Sequence, residues 1–291
     1  MAEKIDFTHA GLYDRGVFQK EFAIHFSKNG RYNVAAIPSM LQLLGMIERD
    51  PGINDVRQVA YMLATVFWET TYPTSVSRPV IGKNGKQLVG KDGSPVIVKE
   101  RKWLMTMAPV DEVGRGRGRR YYDPVKVKVL PDGAVKITEY DGDQFNVSPV
   151  GRIKLITKKA VMGTPPGGAV HKTYSDDDGV EQVYFGRGYA QLTWWSNYAK
   201  AGVNLGRGLD LLVNPELAKN PEVAYNLMSI GMRTGAGFAN GKRFSQYFNS
   251  QASNYSGARA MVNGEDHAND IAEIAQQFEK VLLASKISKK G

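Results

Sequence analysis

Glu69 closes the apolar segment Leu63-Ala-Thr-Val-Phe-Trp-Glu-Thr-Thr71, which reads as the end of a helix. A carboxylate there meets the negative pole of the helix dipole, and the flanking Phe67 and Trp68 are expected to strip it of water. Both effects disfavour the charged form, as a general acid working near neutrality requires. The plain alternative is a surface glutamate at a helix end. A second chemical cluster is Tyr184-Phe-Gly-Arg-Gly-Tyr-Ala-Gln-Leu-Thr-Trp-Trp-Ser-Asn-Tyr198. It combines a Gly-Arg-Gly turn, polar Gln191, Thr193 and Asn197, and several aromatics. That mixture suits a sugar cleft: aromatic faces lie on pyranose rings, and amides and hydroxyls read the ring hydroxyls. Tyr184 and Tyr198 are the rings expected to line it. Inverting hydrolysis of a glycosidic bond needs two carboxylates about 6.5–9.5 Å apart. Asp111 and Glu112, in Ala108-Pro-Val-Asp-Glu-Val-Gly-Arg-Gly-Arg-Gly-Arg-Arg-Tyr121, are the candidates for the second. They also balance the arginines that follow.

The 184–198 stretch resembles the signature YYGRG-xxQLT-xxxNY of family 19 glycoside hydrolases. That family contains plant class I and II chitinases and many phage and bacterial peptidoglycan hydrolases. Glu69-Thr70 resembles its His-Glu-Thr motif, with Trp68 standing where the family has histidine. Residues 108–121 resemble a family segment of the form PIxExGxGxGxxYG. The resemblance implies Glu69 as the acid, Glu112 rather than Asp111 as the base, and Thr193 holding the attacking water with Glu112. It further implies substrate contacts from Gln191 and Asn197. Asn263, in Met261-Val-Asn-Gly264, is similar to the family's INGG asparagine at the cleft floor. The likeness covers about residues 14–76, 107–122 and 183–285. It implies an enzyme needing no cofactor that cuts bacterial peptidoglycan. The alternatives are a chitinase, or a wall-binding or virion structural protein that kept the fold without the activity.

The bulk composition is compatible with this. The 291 residues carry a net charge of +9, which favours an anionic partner such as a bacterial envelope. A specific nucleic-acid role rests on charge alone. The chain has no cysteine, which excludes disulfides, zinc–thiolate sites and thiol catalysis. His9, His25, His171 and His267 lack metal-site spacing, so no metal is expected. No Gly-x-Ser-x-Gly elbow is present. The run Gly114–Arg120 lacks the ending of a phosphate loop and reads as a flexible cationic wall. Residues 1–9 contain no apolar core of signal-peptide length, and no run is long and apolar enough to span a bilayer. The expectation is synthesis as a soluble protein in the bacterial cytoplasm, infected by phage or not, with action on the wall after release or from a virion.

Three parts are expected to position these residues in an α+β, mainly α, lysozyme-like two-lobed domain. Residues 1–76 read as helical: an amphipathic Val17–Phe26, an apolar face over Ala35–Ile47, and a third helix capped by Asn54. Residues 77–182 read as an inserted, basic, hairpin-rich region enclosing the 107–122 segment. Its expected strands are Val96–Val98, Val125–Leu130, Ala134–Thr138 and Ile153–Thr157, and Ser175–Gly179 reads as a solvated acidic turn. Its parts outside the 107–122 segment, about 77–106 and 123–182, are expected to project beside the cleft and dock on an anionic envelope through Lys83, Lys86, Lys91 and Lys99. Residues 183–291 read as helical again, with starts at Asn214-Pro-Glu216 and Asn220-Pro-Glu222. Short helices follow at Phe244–Phe248 and Asn254–Val262. A last helix carries Ile271, Ile274, Ala275, Phe278, Val281 and Leu282 on one face, and the tail from Lys286 is expected to fray. Beyond the two Asn-Pro-Glu starts, no internal repeat is apparent.

Overall fold

The computed structural model describes residues 13–158 and 179–287. His9, His171, most of the acidic turn and the last four residues lie outside them. Among the described residues the α-helices are α1 (Arg15–Phe26), α2 (Ile37–Glu48), α3 (Val56–Glu69), α4 (Trp195–Asn204), α5 (Asp210–Val213), α6 (Pro221–Thr234) and α7 (Ala268–Ser285). The strands are β1 (Thr71–Pro79), β2 (Ile97–Met105), β3 (Val110–Asp111), β4 (Val125–Val129), β5 (Val135–Thr138), β6 (Gln144–Val147), β7 (Ile153–Thr157), β8 (Val180–Gln182) and β9 (Arg187–Gly188).

Helix α3 is the axis of the main core, with eleven of its fourteen residues buried. Its cap is Asp55, one residue later than expected: the carboxylate accepts from the Arg57 amide and also grips the Arg57 guanidinium. Helix α7 packs along α3, and α1 packs on α7. Phe22, Phe26 and Phe278 stack there, with Phe26 and Phe278 centroids 4.6 Å apart. The six apolar residues expected on one face of α7 are all buried. Asn214 and Asn220 both cap as their Pro-Glu sequences foretell, Asn214 accepting from Glu216 and Asn220 from Glu222 and Val223. The first starts a 3₁₀ turn and the second starts α6. The short helices expected near 244–248 and 254–262 are 3₁₀ turns at Phe244–Gln246 and Gly257–Met261.

A polar clasp joins α2 to α6. Asp50 accepts from Ser229 Oγ at 2.5 Å, Tyr225 Oη at 2.8 Å and the Gly52 amide at 2.8 Å. Burial pushes the Asp50 carboxyl up, but these hydrogen bonds and nearby Arg233 outweigh it and hold it below the usual carboxylate range. A depressed native value stabilises the fold above the unfolded pKa of about 3.9. That contribution is lost as pH falls through the native value. Tyr225→Phe should therefore cost about 1.5–3 kcal/mol at pH 7, the usual worth of a hydrogen bond to a charged group. In urea melts the deficit should shrink as pH drops towards 3, and a pH-independent deficit would contradict the clasp.

The β-rich middle is two structures rather than one insertion. Strands β1 and β2 pair antiparallel from Thr71↔Met105 to Pro79↔Ile97 as a two-stranded ribbon leaving the end of α3. This ribbon begins six residues before the expected boundary at 77. Its root is fixed by Asn33 Nδ2 donating to the Met105 carbonyl at 3.1 Å; beyond that it is largely exposed. The second structure is an antiparallel sheet of order β7-β6-β5-β4-β8. Val125, Val127, Val135, Ile137 and Val147 pack there with Tyr184, Leu192, Trp195, Tyr198 and α5 in a second core. The expectation that 77–106 and 123–182 together form a projection is thus corrected for the described residues. The sheet packs one face against α4 and α5, and among the described residues of this region only the ribbon stands free.

Candidate active site

A groove of about 430 Å³ is lined by Glu69, Glu112, Tyr121, Gln191, Thr193 and Asn263, with Val113, Gly186, Ala190 and Val262. Its residues come from the end of α3, the segment after β3, the loops on either side of β9 and the turn after residues 257–261. The main core and the second core hold these pieces. Glu69, Glu112, Thr193, Gln191 and Asn263 are brought together as the sequence foretells.

Glu69 is the last residue of α3 and is part-buried. Phe67 does not cover it. Residues two apart on a helix do not share a face, and Phe67 packs against Phe26 and Phe278 in the core. The neighbour of Glu69 is instead Arg259, whose Nη1 lies 2.5 Å from Glu69 Oε1. Arg259 is only 1% exposed, and its Nε donates to the Asp266 carbonyl at 2.8 Å. Its own carbonyl accepts the Asn263 amide at 3.0 Å. One buried arginine thus holds the carboxylate and shapes the turn that carries Asn263. The sequence reading missed it; an arginine in the helical stretch before Asn263 was the available signal. Trp68 lies between the Arg31 guanidinium, 3.5 Å from its ring centroid, and the His267 ring at 4.7 Å.

Glu112 follows β3, which pairs with β9 through Val110↔Gly188 and Asp111↔Arg187. Its Oε2 accepts the Gly186 amide at 3.1 Å and its Oε1 accepts from Tyr121 Oη at 2.9 Å. Burial first, then the bond to Glu112 and its charge, push the Tyr121 hydroxyl up to about 12. That hydroxyl therefore stays a donor across the neutral range. Two glycines make room for this geometry. A Cβ on Gly186 would meet Gln191 Oε1 at 2.8 Å and Glu112 Cβ at 3.2 Å, and one on Gly116 would meet the Tyr121 ring at 2.4 Å. The run Gly114–Arg120 is a succession of hydrogen-bonded turns, Arg115 to Glu112, Arg117 to Gly114 and Arg119 to Gly116. It is not the loose wall expected, and none of its arginines lines the groove.

Asp111 points away from this site. It neighbours Lys219 Nζ at 3.1 Å, with Arg187 Nε and Arg115 Nη2 each at 3.8 Å. Arg187 is itself buried and bonds Glu216 at 3.0 Å, so it ties the Gly-Arg-Gly turn to carboxylates. Gln191 Nε2 donates to the Val110 and Gly188 carbonyls at 3.3 and 3.0 Å, bracing the short β3–β9 pair. Gln191 and Trp194 both adopt positive φ, 51° and 70°. Thr193 therefore sits in a locally strained loop of the kind found at functional sites.

Three expected substrate contacts are corrected. Tyr184 is buried in the second core, its hydroxyl donating to the Leu212 carbonyl. Tyr198 is fully buried and donates to the Phe185 carbonyl at 3.0 Å. Asn197 Nδ2 donates to the Thr193 carbonyl at 2.9 Å and does not line the groove. Its part is to shape the loop carrying Thr193. Away from the groove, Glu139, Asp141 and Asp143 bring carboxylate oxygens within 4.8 Å of one another, close enough to share a cation. The sequence reading did not single them out, and Glu139 is engaged by the Trp195 indole at 2.8 Å.

A stretch of 76 residues is 38% identical to the acidic endochitinase pcht28 of Solanum chilense. Part of the chain is similar to a glycoside hydrolase. The match spans 26% of this chain and 29% of that protein. No protein-family model and no solved structure matches the chain.

Proposed function

We propose that the groove hydrolyses glycosidic bonds of bacterial peptidoglycan, with inversion, on a lysozyme-like scaffold of the family 19 type. The observation that carries this reading is that Glu69 and Glu112, distant in sequence, line one groove with Thr193. Glu69 protonates the leaving oxygen. Glu112 takes a proton from a water that Thr193 helps to hold, and the water attacks the anomeric carbon from the opposite face. Gln191 braces the base and Asn263 faces the sugar. Tyr121 and the Gly186 amide fix the orientation of Glu112 by donating to its two oxygens. The excess of positive charge suits an anionic wall, reached after release from the producing cell or from a virion.

Chitin is the second reading, favoured by the partial likeness to an endochitinase. The same chemistry would act there on a neutral polymer. Mass spectrometry of fragments released from purified peptidoglycan and from chitin oligomers separates the two. We expect saccharide fragments with new reducing ends from peptidoglycan. Release from chitin alone would move the assignment to a chitinase. Release from neither, by folded protein that still binds walls, would leave a non-catalytic wall-binding or virion structural role.

A further inference from the structure

The ribbon β1–β2 does not end in a simple turn. Residues 81–88, Ile-Gly-Lys-Asn-Gly-Lys-Gln-Leu, and 89–96, Val-Gly-Lys-Asp-Gly-Ser-Pro-Val, are two copies of one unit. This repeat corrects the expectation of none beyond Asn-Pro-Glu. The two copies fold alike. The Gly82 amide donates to the Lys86 carbonyl at 2.8 Å, and the Gly90 amide to that of Ser94 at 2.8 Å. Asn84 Oδ1 accepts the Lys86 amide and Asp92 Oδ1 the Ser94 amide, both at 3.1 Å. The ribbon itself is the third arm. The Val80 amide donates to Val96 at 2.9 Å, Val96 to Leu88 at 2.9 Å and Leu88 to Val80 at 2.8 Å. Three hairpins thus radiate from a closed ring of three hydrogen bonds.

The next residue in each arm is Ile81, Val89 or Ile97, exposed by 57%, 58% and 50%. Successive residues of an extended chain alternate sides. These three therefore occupy one side of the plate, and Val80, Leu88 and Val96 the other. Lys83, Lys86, Lys91 and Lys99 are exposed on the same three arms. Residues 71–105 hold seven Lys and Arg against Asp92 and Glu100, more than half of the chain's net +9. Eight of the twenty exposed large apolar side chains among the described residues fall in the same stretch. All but Tyr72 and Trp103 are aliphatic and lie between residues 81 and 98, and clustered exposure of this kind marks an interaction surface.

We propose that this three-hairpin tip docks on an anionic lipid bilayer. Ile81, Val89 and Ile97 enter the boundary between headgroups and acyl chains, and the lysines pair with lipid phosphates. A wall polymer fits the tip less well, because sugars stack on aromatic rings and the tip presents branched aliphatic side chains. Trp103 pairs with Pro73 near the opposite end of the ribbon. A second copy would bring like charges together. The inference is independent of the hydrolytic reading.

Flotation of the full chain with vesicles of phosphatidylglycerol or of phosphatidylcholine tests it. Binding to the anionic vesicles alone is expected. Replacing Lys83, Lys86, Lys91 and Lys99 by Gln should lower partition by about two orders of magnitude or more, since each basic residue near such a surface contributes about fivefold. Ile81→Ser, Val89→Ser and Ile97→Ser together should lower it about tenfold with every charge kept. Circular dichroism should be unchanged in both variants. No vesicle binding by the wild type overturns the proposal, and so does a triple-Ser variant that binds as well as the parent. Vesicles ignored while sacculi are bound through these residues would assign the tip to the wall. A dimer abolished by the triple substitution would assign it to self-association.

Discussion

Glu69→Gln should remove nearly all hydrolysis of peptidoglycan and leave a folded protein. General acid catalysis is typically worth about 10²–10⁴-fold, and an amide N–H is far too weak an acid to deliver its proton. The substitution keeps the shape of the side chain and an oxygen facing Arg259. The fold therefore survives with a lowered melting temperature. Glu69→Ala is a harsher change. It strands a guanidinium that is 1% exposed, and breaking a buried ion pair from one side costs about 3–5 kcal/mol. Rates of reducing-end release, read beside urea melts of the same preparations, separate the chemical loss from the structural one. A well-folded Glu69→Gln protein keeping more than about a tenth of the parent's activity would sink the assignment of the acid.

Glu112→Gln should slow turnover by about 10²-fold or more, the range for a lost general base, with binding to insoluble peptidoglycan retained. The amide can still accept from Gly186 and Tyr121, so the loop keeps its course. Asp111→Asn is the internal control. Asp111 faces Lys219, Arg187 and Arg115, and its loss should lower stability while changing turnover little. The opposite pattern, a dead Asp111→Asn beside an active Glu112→Gln, would transfer the base to Asp111.

Elements with a strong apolar period were legible in the sequence. The α7 face and the core stripe of α3 follow from 3.6-residue spacing, and α6 from its Asn-Pro-Glu start. Strands β4, β5 and β7 were legible as β-branched runs. Strand β6, Gln144–Val147, was not, because its polar–apolar alternation runs for only four residues and contains no β-branched pair; pairing on both edges with β5 and β7 makes it a strand. Strand β1 contains two prolines and polar residues and belongs to an exposed ribbon, so no burial pattern marks it. Of the residues lining the groove, motif-bearing Glu69, Glu112, Gln191, Thr193 and Asn263 were named from sequence. Tyr184 and Tyr198 were misplaced because an aromatic ring that stacks on sugar and one that fills a core look the same in composition. Arg259 escaped because its partnership with Glu69 joins positions 190 residues apart.

The Glu69–Arg259 pair has an evolutionary consequence. Arg259 is buried, and its charge is answered by the same carboxylate proposed to deliver the proton. Selection on folding alone is then enough to hold the glutamate in place. A descendant that had lost its substrate, or its base at Glu112, would still inherit Glu69. Positions without such a second duty, Thr193 and Asn263 among them, would drift first. Among related chains, retention of the groove-facing threonine and asparagine should therefore report surviving chemistry better than retention of the acid.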